Sequence, residues 1–307
     1  MALLDALVEP FDRADPRAVA ELLTDRWGLE RPHLSLLETE RDDTFRVEHS
    51  GGIHLVKVAH PNDGPELLAL QDAALALVAK ADPDLPVPRL VPADAPVTLD
   101  GRIVRVLTWL PGSPAGRDRL QLRIGGELLG RLNRALAPLE HPAADRLLPW
   151  DLQHVAGLAD YTDDPEILDA IARYTAEIVP ALDALPRQIV HGDFHPHNVL
   201  ADNAGAITGV IDFGDIARTA RVCDVGVALG YLVPVDGPMD AVRSTFLDGF
   251  ESVVPLSDAE REVIPGLVVG RQIQRIVIND ELGRLTGERA DPTGLFGSFR
   301  RAQKEWT

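Results

Sequence analysis

The 307 residues suffice for one large domain or two ordinary ones, and 45% apolar with 25% charged residues is the composition of a soluble globular protein. A formal charge of −18, with no Lys/Arg cluster set against it, excludes a nucleic-acid or anionic-membrane partner. Cys223 is the sole cysteine, which excludes a disulfide framework or a thiolate metal site. The acidic opening MALLDALVEPFDRAD is unlike a secretion signal, and no run approaches 18 apolar residues, so a soluble cytoplasmic chain is expected.

In chain order, Asp15 and Pro16 read as the cap and first residue of a short helix ending near Trp27. Strand-like runs follow at 33–37, 44–48 and 53–58, the last two joined by a Ser50-Gly51-Gly52 turn. Residues 65–80 have helical spacing, with Leu67, Ala74, Leu75 and Val78 on one face; further strands are expected near 89–91 and 103–109. Pro111-Gly112-Ser113-Pro114 reads as a linker. Beyond it helices dominate, at about 120–136, 165–185, 222–232, 239–253 and 257–285. One hairpin interrupts them, formed by the segment up to Leu200, the turn Asp202–Gly205 and a strand at 207–212. The expected plan is α+β, with a small N-terminal lobe over 1–110 and a larger helical lobe over 111–307.

The stretch IVHGDFHPHNVL (189–200) admits two readings. His191, Asp193, His195 and His197 alternate as a strand would align them, a ligand set suited to zinc or iron in a metallohydrolase. Pro196 interrupts that strand, however, and no histidine follows residue 197 to complete a site. In the other reading, His191-x-Asp193-x-x-x-x-Asn198 followed by Asp212-Phe213-Gly214 is the spacing of a kinase catalytic loop and its metal-binding motif. Phosphoryl transfer needs such a set, because Mg²⁺ takes hard oxygen ligands and the moving phosphoryl charge must be neutralised. A four-residue turn would set Asn198 opposite Gly209. That register leaves Asp212 about three residues (~10 Å) past it and facing the other way, unless the strand ends near Ile211.

His-Gly-Asp-Phe-His-Pro-x-Asn-Val-Leu with Val-Ile-Asp-Phe-Gly-Asp resembles the aminoglycoside phosphotransferase and choline kinase superfamily. LLALQDAALALV (67–78), VLTWLPGSP (106–114) and GVIDFGDIARTARVCDVGVAL (209–229) resemble its hydroxylysine-kinase-like branch. The resemblance covers about residues 35–235 and implies a bilobal protein-kinase-like fold. It also implies Mg²⁺-dependent transfer of the γ-phosphoryl of ATP or GTP to a small-molecule alcohol, an amino alcohol or hydroxy-amino acid. An antibiotic-modifying kinase of the same fold and a catalytically silent nucleotide-binding module remain alternatives.

Carried onto this chain, the resemblance makes Asp193 the base and Asn198 and Asp212 the metal ligands, with His191 and Asp224 bracing the loop. Lys57 would reach the nucleotide phosphates. The helix glutamate that usually pairs with this lysine is replaced on the inward face by Gln71, with Glu66 as the rival. The loop over the phosphates, Thr39 to Thr44, contains no glycine and would act through backbone groups or Thr44; the alternative is an ordinary polar turn. The base of the nucleotide would meet the hinge at Leu107, Trp109 and Leu110, with lobe packing as the alternative for Trp109. Asp215 is a candidate for a substrate amine, and Arg271, one turn from Arg275, for a substrate carboxylate; the rival for the two arginines is a solvated helix face. His195 and His197 are expected to be packing or solvent-side residues. Oligomeric state is not indicated.

Overall fold

The computed structural model describes residues 4, 11–39, 41–116, 120–233, 239–287 and 293–306. Strands β1 (His33–Leu37), β2 (Asp43–His49), β3 (Gly52–Val58), β4 (Val97–Leu99) and β5 (Arg102–Thr108) form an antiparallel sheet in the order β1-β2-β3-β5-β4. Period-two alternation sorts its faces. Val47, Val56, Val58, Val104 and Val106 are buried with Val19 and Leu23 of helix α1 (Pro16–Trp27). Leu55 and Leu107 turn the other way and join Leu70, Ala74 and Val78 of α2 (Pro65–Ala81). Lys57 and Arg105, cross-strand partners on β3 and β5, share that second face. Helix α1 starts where expected, because the Asp15 carboxylate accepts the Arg17 N–H at 2.9 Å and Pro16 needs no donor partner.

The rest is mainly helical: α3 (Leu122–Leu136), α4 (Pro165–Asp183), α5 (Cys223–Tyr231), α6 (Met239–Glu251), α7 (Asp258–Thr286) and α8 (Thr293–Trp306), with a 3-10 segment at Leu152–Tyr161. Their apolar faces enclose one core that includes Tyr174, Phe246, Phe250, Leu267, Ile273 and Phe299. A Ser257/Glu260 capping box opens α7, whose central turns are buried. Short strands set into this lobe build the site: β6 (Ser113–Pro114), β8 (Val199–Ala201) and β9 (Ile207–Val210) in one sheet, β7 (Arg187–Val190) and β10 (Ala217–Ala220) in another. The two parts are tied by a bidentate Arg131–Asp82 pair at 2.8 and 2.7 Å and by the Val210 N–H on the Pro86 carbonyl at 2.7 Å.

Three local expectations change. The strand expected at 89–91 is a single bridge, Leu90 to Leu107, because Pro88 and Pro92 flank it without donors; Val97–Leu99 forms the edge strand instead. The stretch expected as a linker, Pro111–Pro114, pairs in part with β8 and so is fastened to the β8–β9 hairpin. Helix α8 and the 3-10 segment were not among the expected elements. No described helix is long and apolar enough to cross a membrane.

Candidate active site

Four residues hold the loop after β7. Asp224, buried in the first turn of α5, accepts the Gly192 N–H at 2.8 Å, the His191 N–H at 3.2 Å and the Asn133 amide at 3.3 Å. Gly192 has φ +80, and a side chain there would strike the Asp215 carbonyl, so only glycine fits. Buried His191 accepts the Asp193 N–H on Nδ1 at 3.2 Å, which leaves Nε2 to donate to the Ile211 carbonyl at 3.2 Å. Burial lowers its pKa and keeps this imidazole neutral, as that tautomer requires. His191 thereby links the catalytic loop to the strand leading into Asp212.

The hairpin register differs from the simple alternation expected. Val199 pairs with Val210 and Leu200 with Gly209, but Ala201 pairs with Ile207, so Thr208 is an extra residue in a β-bulge. Asn198 therefore lies opposite Ile211, whose N–H donates to the Asn198 carbonyl at 2.9 Å, and Asp212 follows one residue later rather than three. The strand ends at Val210, and Asp212 adopts φ +66, one of three positive-φ non-glycine residues among those described. That turn, tightened by the Gly214 N–H on Asp212 Oδ1 at 3.2 Å, breaks the alternation that would have sent Asp212 to the far side. The Asp212 carboxylate is exposed. Asn198 donates its Nδ2 to Asp193 Oδ2 at 2.7 Å and to the Asp193 carbonyl at 3.0 Å, which leaves its amide oxygen as a ligand atom. Two such oxygen donors suit Mg²⁺, which keeps several waters and takes phosphate oxygens for the rest. Among the described residues no group of three or more His, Cys, Asp or Glu could hold a metal, and the His191 and His195 rings are otherwise engaged.

Lys57 does not meet Gln71 or Glu66. Its ammonium pairs at 2.9 Å with Oδ2 of Asp42, a residue of the glycine-free loop. Gln71 is buried on α2, but its Oε1 accepts Arg105 Nη2 at 2.8 Å; Arg105 also pairs with Asp72 at 3.0 Å. Arg105 stands beside Lys57 across the strands and captures the helix side chain that the sequence suggested for Lys57. Asp42 is well anchored, with Oδ1 on the His60 N–H at 3.2 Å and its carbonyl on Thr39 Oγ1 at 2.6 Å. Burial disfavours the Lys57 cation, but Asp42 and then Asp212 outweigh that and raise its pKa. Thr44, across from Lys57, is buried with an Oγ1 that has no partner among the described residues. Glu40 of the same loop lies outside the described residues.

On the other side of Asp193, one expectation is corrected. Arg271 is neither on a solvated face nor open to a substrate: it is 1% exposed, and Nη2 donates to Asp193 Oδ1 at 2.6 Å. His195 packs, as expected, and also holds Asp193. Its Nδ1 accepts the His197 N–H at 3.1 Å, its Nε2 donates to Asp193 Oδ2 at 3.1 Å, and its ring stacks on Tyr231 with centroids 4.1 Å apart. Burial would push the Asp193 carboxyl up, but His195 and then Arg271 hold it below its ordinary 3.8. His197 is exposed. Asp215, partly exposed, is pushed up to about 7 by burial and by Asp193 and Asp212, against the pull of Arg146 and Arg271. Arg275 lies over the Tyr231 ring at 4.4 Å. At the hinge, Leu107 is buried in the β3–β5 pairing, Trp109 lies 5.3 Å from the Arg46 guanidinium, and Leu110 packs against Gly209. The Thr108 N–H is taken by the Arg89 carbonyl at 2.8 Å.

Asp42, His195, Arg146 and the Trp150/Tyr231 pair around Arg271 were not expected at the site. Asp42 had a signal, an acid in the phosphate loop. His195 sits two residues from Asp193 on the same loop, so its signal was local; Arg146, Trp150 and Tyr231 are brought in by tertiary packing.

Residues 34–261 match the model of a phosphotransferase enzyme family. The chain is 26% identical over 309 residues to a hydroxylysine kinase of Mus musculus, covering 87% of this chain and 81% of that protein. It is 30% identical over 260 residues to a homoserine kinase of Gluconacetobacter diazotrophicus, covering 76% of each. Among solved structures, a microcompartment-associated aminopropanol kinase superposes with a TM-score of 0.71 at 18% identity, over 94% of both chains.

Proposed function

Because the chain belongs to the phosphotransferase enzyme family and is a small-molecule kinase acting on a hydroxyl, we propose that it phosphorylates a hydroxy-amino acid or an amino alcohol with ATP as donor. The observation that carries the reading is the approach of Asp193, Asn198 and Asp212 through the bulged hairpin, with Lys57 near enough to Asp212 to feel its charge.

In this reading Asp193 sits at the acceptor hydroxyl and takes its proton. The acceptor oxygen forms its bond to the γ-phosphorus while the bond from that phosphorus to the β,γ-bridging oxygen breaks, and ADP leaves. Asn198 and Asp212 would hold Mg²⁺, which when bound supplies charge neutralisation to the phosphates. Lys57 contacts the phosphates, and the Asp42 pair gives it the fixed position that a neutral Gln71 would not, which weakens the case for a silent nucleotide-binding module. With the Thr108 N–H occupied, the backbone beyond it, at Trp109 and Leu110, reads the adenine edge. Asp215, beside Asp193, is the group for the acceptor's amine.

The test is ADP release with ATP, and with GTP as a second donor, across hydroxylysine, homoserine, aminopropanol, choline and a set of aminoglycosides. Turnover of an amino alcohol or hydroxy-amino acid, lowered by ~10²–10⁴ in Asp193→Ala, is expected. Turnover confined to aminoglycosides, or activity unchanged in Asp193→Ala, overturns the reading.

A further inference from the structure

Arg271 comes from the middle of α7, 78 residues away in sequence from Asp193, and its guanidinium is sealed in protein. A buried cation of this kind persists only where it is held on several sides. Here Nη1 donates to the Trp150 carbonyl at 3.2 Å and to Gln274 Oε1 at 3.3 Å, and Gln274 is itself fixed by its Nε2 on the Pro149 carbonyl at 3.0 Å. The Trp150 and Tyr231 rings lie 4.6 and 5.2 Å from the guanidinium carbon. Gly230 of α5 leaves the passage for the side chain, since a methyl group there would come within 2.7 and 2.8 Å of Arg271 Cβ and Cγ. Among the described residues, the one carboxylate paired with the cation is Asp193, through Oδ1 at 2.6 Å.

The two oxygens of Asp193 are held by different groups. Oδ2 accepts from Asn198 and His195, both within five residues on the same loop, whereas Oδ1 accepts from Arg271. Without Arg271 the carboxylate keeps only local donors on one oxygen and is free to turn about its own bond. Asp215 stands close enough to repel it, and nucleotide phosphates add further negative charge. A substrate carboxylate cannot share the guanidinium: Arg271 is 1% exposed and lies behind an Asp193 side chain that is 18% exposed.

We propose that Arg271 is a positioning residue for phosphoryl transfer, which locks the orientation of the base Asp193 and offsets the surrounding negative charge, and that it does not bind the acceptor. The proposal rests on the kinase reading above. A base must stay within hydrogen-bond reach of the hydroxyl it deprotonates, so the loss appears in kcat rather than in binding.

The experiment compares wild type, Arg271→Met and Arg271→Lys, each alone and with Asp193→Asn, for kcat, acceptor KM, ATP KM and thermal midpoint. Arg271→Met should lower kcat by ~10²-fold with both KM values within about threefold, and Arg271→Lys by about tenfold, since it keeps the charge but not the planar fork. In the Asp193→Asn background Arg271→Met should add little, because its effect runs through the carboxylate. A kcat unchanged in Arg271→Met, a rise confined to acceptor KM, or full additivity with Asp193→Asn overturns the proposal. If Arg271→Met does not fold, Arg271→Lys decides on the same kcat-against-KM criterion. Wild type inactive on every acceptor is a different result: it defeats the kinase reading and the proposal with it.

Discussion

Asp42→Asn removes the charge that holds Lys57. The pair is 2.9 Å apart with side chains 20% and 10% exposed, so water reaches it only at the edge. At an effective dielectric near 20, unit charges at this separation attract by about 6 kcal/mol, much of which is offset by their desolvation. Deleting one member of a buried pair costs about 3–5 kcal/mol. Two features lower that range: an asparagine can still accept the His60 N–H, and Asp212 also attracts Lys57. The expected loss is therefore about 2–3 kcal/mol in denaturant unfolding followed by circular dichroism. ATP kcat/KM should fall by ~10²-fold, as a phosphate-binding cation shifts by an ångström or so. The pH dependence has a definite sign. Burial raises the Asp42 pKa, but Lys57 outweighs it and brings it below 3.8, so this stability is present above 3.8 and lost as pH falls through the folded value. The Lys57 pKa is raised above 10.5, so its share is present below 10.5 and lost as pH rises beyond it. The stability gap between wild type and Asp42→Asn should be flat from about pH 5 to 9 and close below 3.8. An unchanged unfolding midpoint with an unchanged ATP KM would refute Asp42 as the anchor.

Gln71→Met should leave ATP KM within about threefold while lowering stability by about 1–2 kcal/mol, because the amide serves Arg105; an ATP KM raised as far as in Asp42→Asn would return Gln71 to the lysine. Gly192→Ala forces a side chain into the Asp215 carbonyl at φ +80, and about 3 kcal/mol of destabilisation with loss of turnover is expected, measured by unfolding and ADP release; wild-type stability would show that the loop has another conformation. Asp224→Asn should cost ~2 kcal/mol and slow turnover without changing nucleotide affinity, read by unfolding and by ADP titration, because Asp224 touches only the loop backbone and Asn133.

Local patterning carried much of this molecule. Asp15-Pro16, the Ser50–Gly52 turn and the apolar stripes of α2 and α3 each encode a conformation within a few residues, so the elements they start or join were legible before any fold was known. The spacing from Asp193 to Asn198 and on to Asp212 was legible for the same reason, as one hairpin contains it. What that spacing could not supply was the bulge at Thr208 and the left-handed Asp212, since register depends on how the strand packs on its neighbours. The partners of the two central charges were also hidden. Lys57 took Asp42 because Arg105, brought alongside by β3–β5 pairing, had already claimed Gln71. Asp193 took Arg271 because α7 crosses behind the catalytic loop, a contact between segments 78 residues apart. Short-range chemistry thus marked the candidate residues, and long-range packing decided which charge each of them faces, because an ion pair depends on distance in space and leaves no period in the chain.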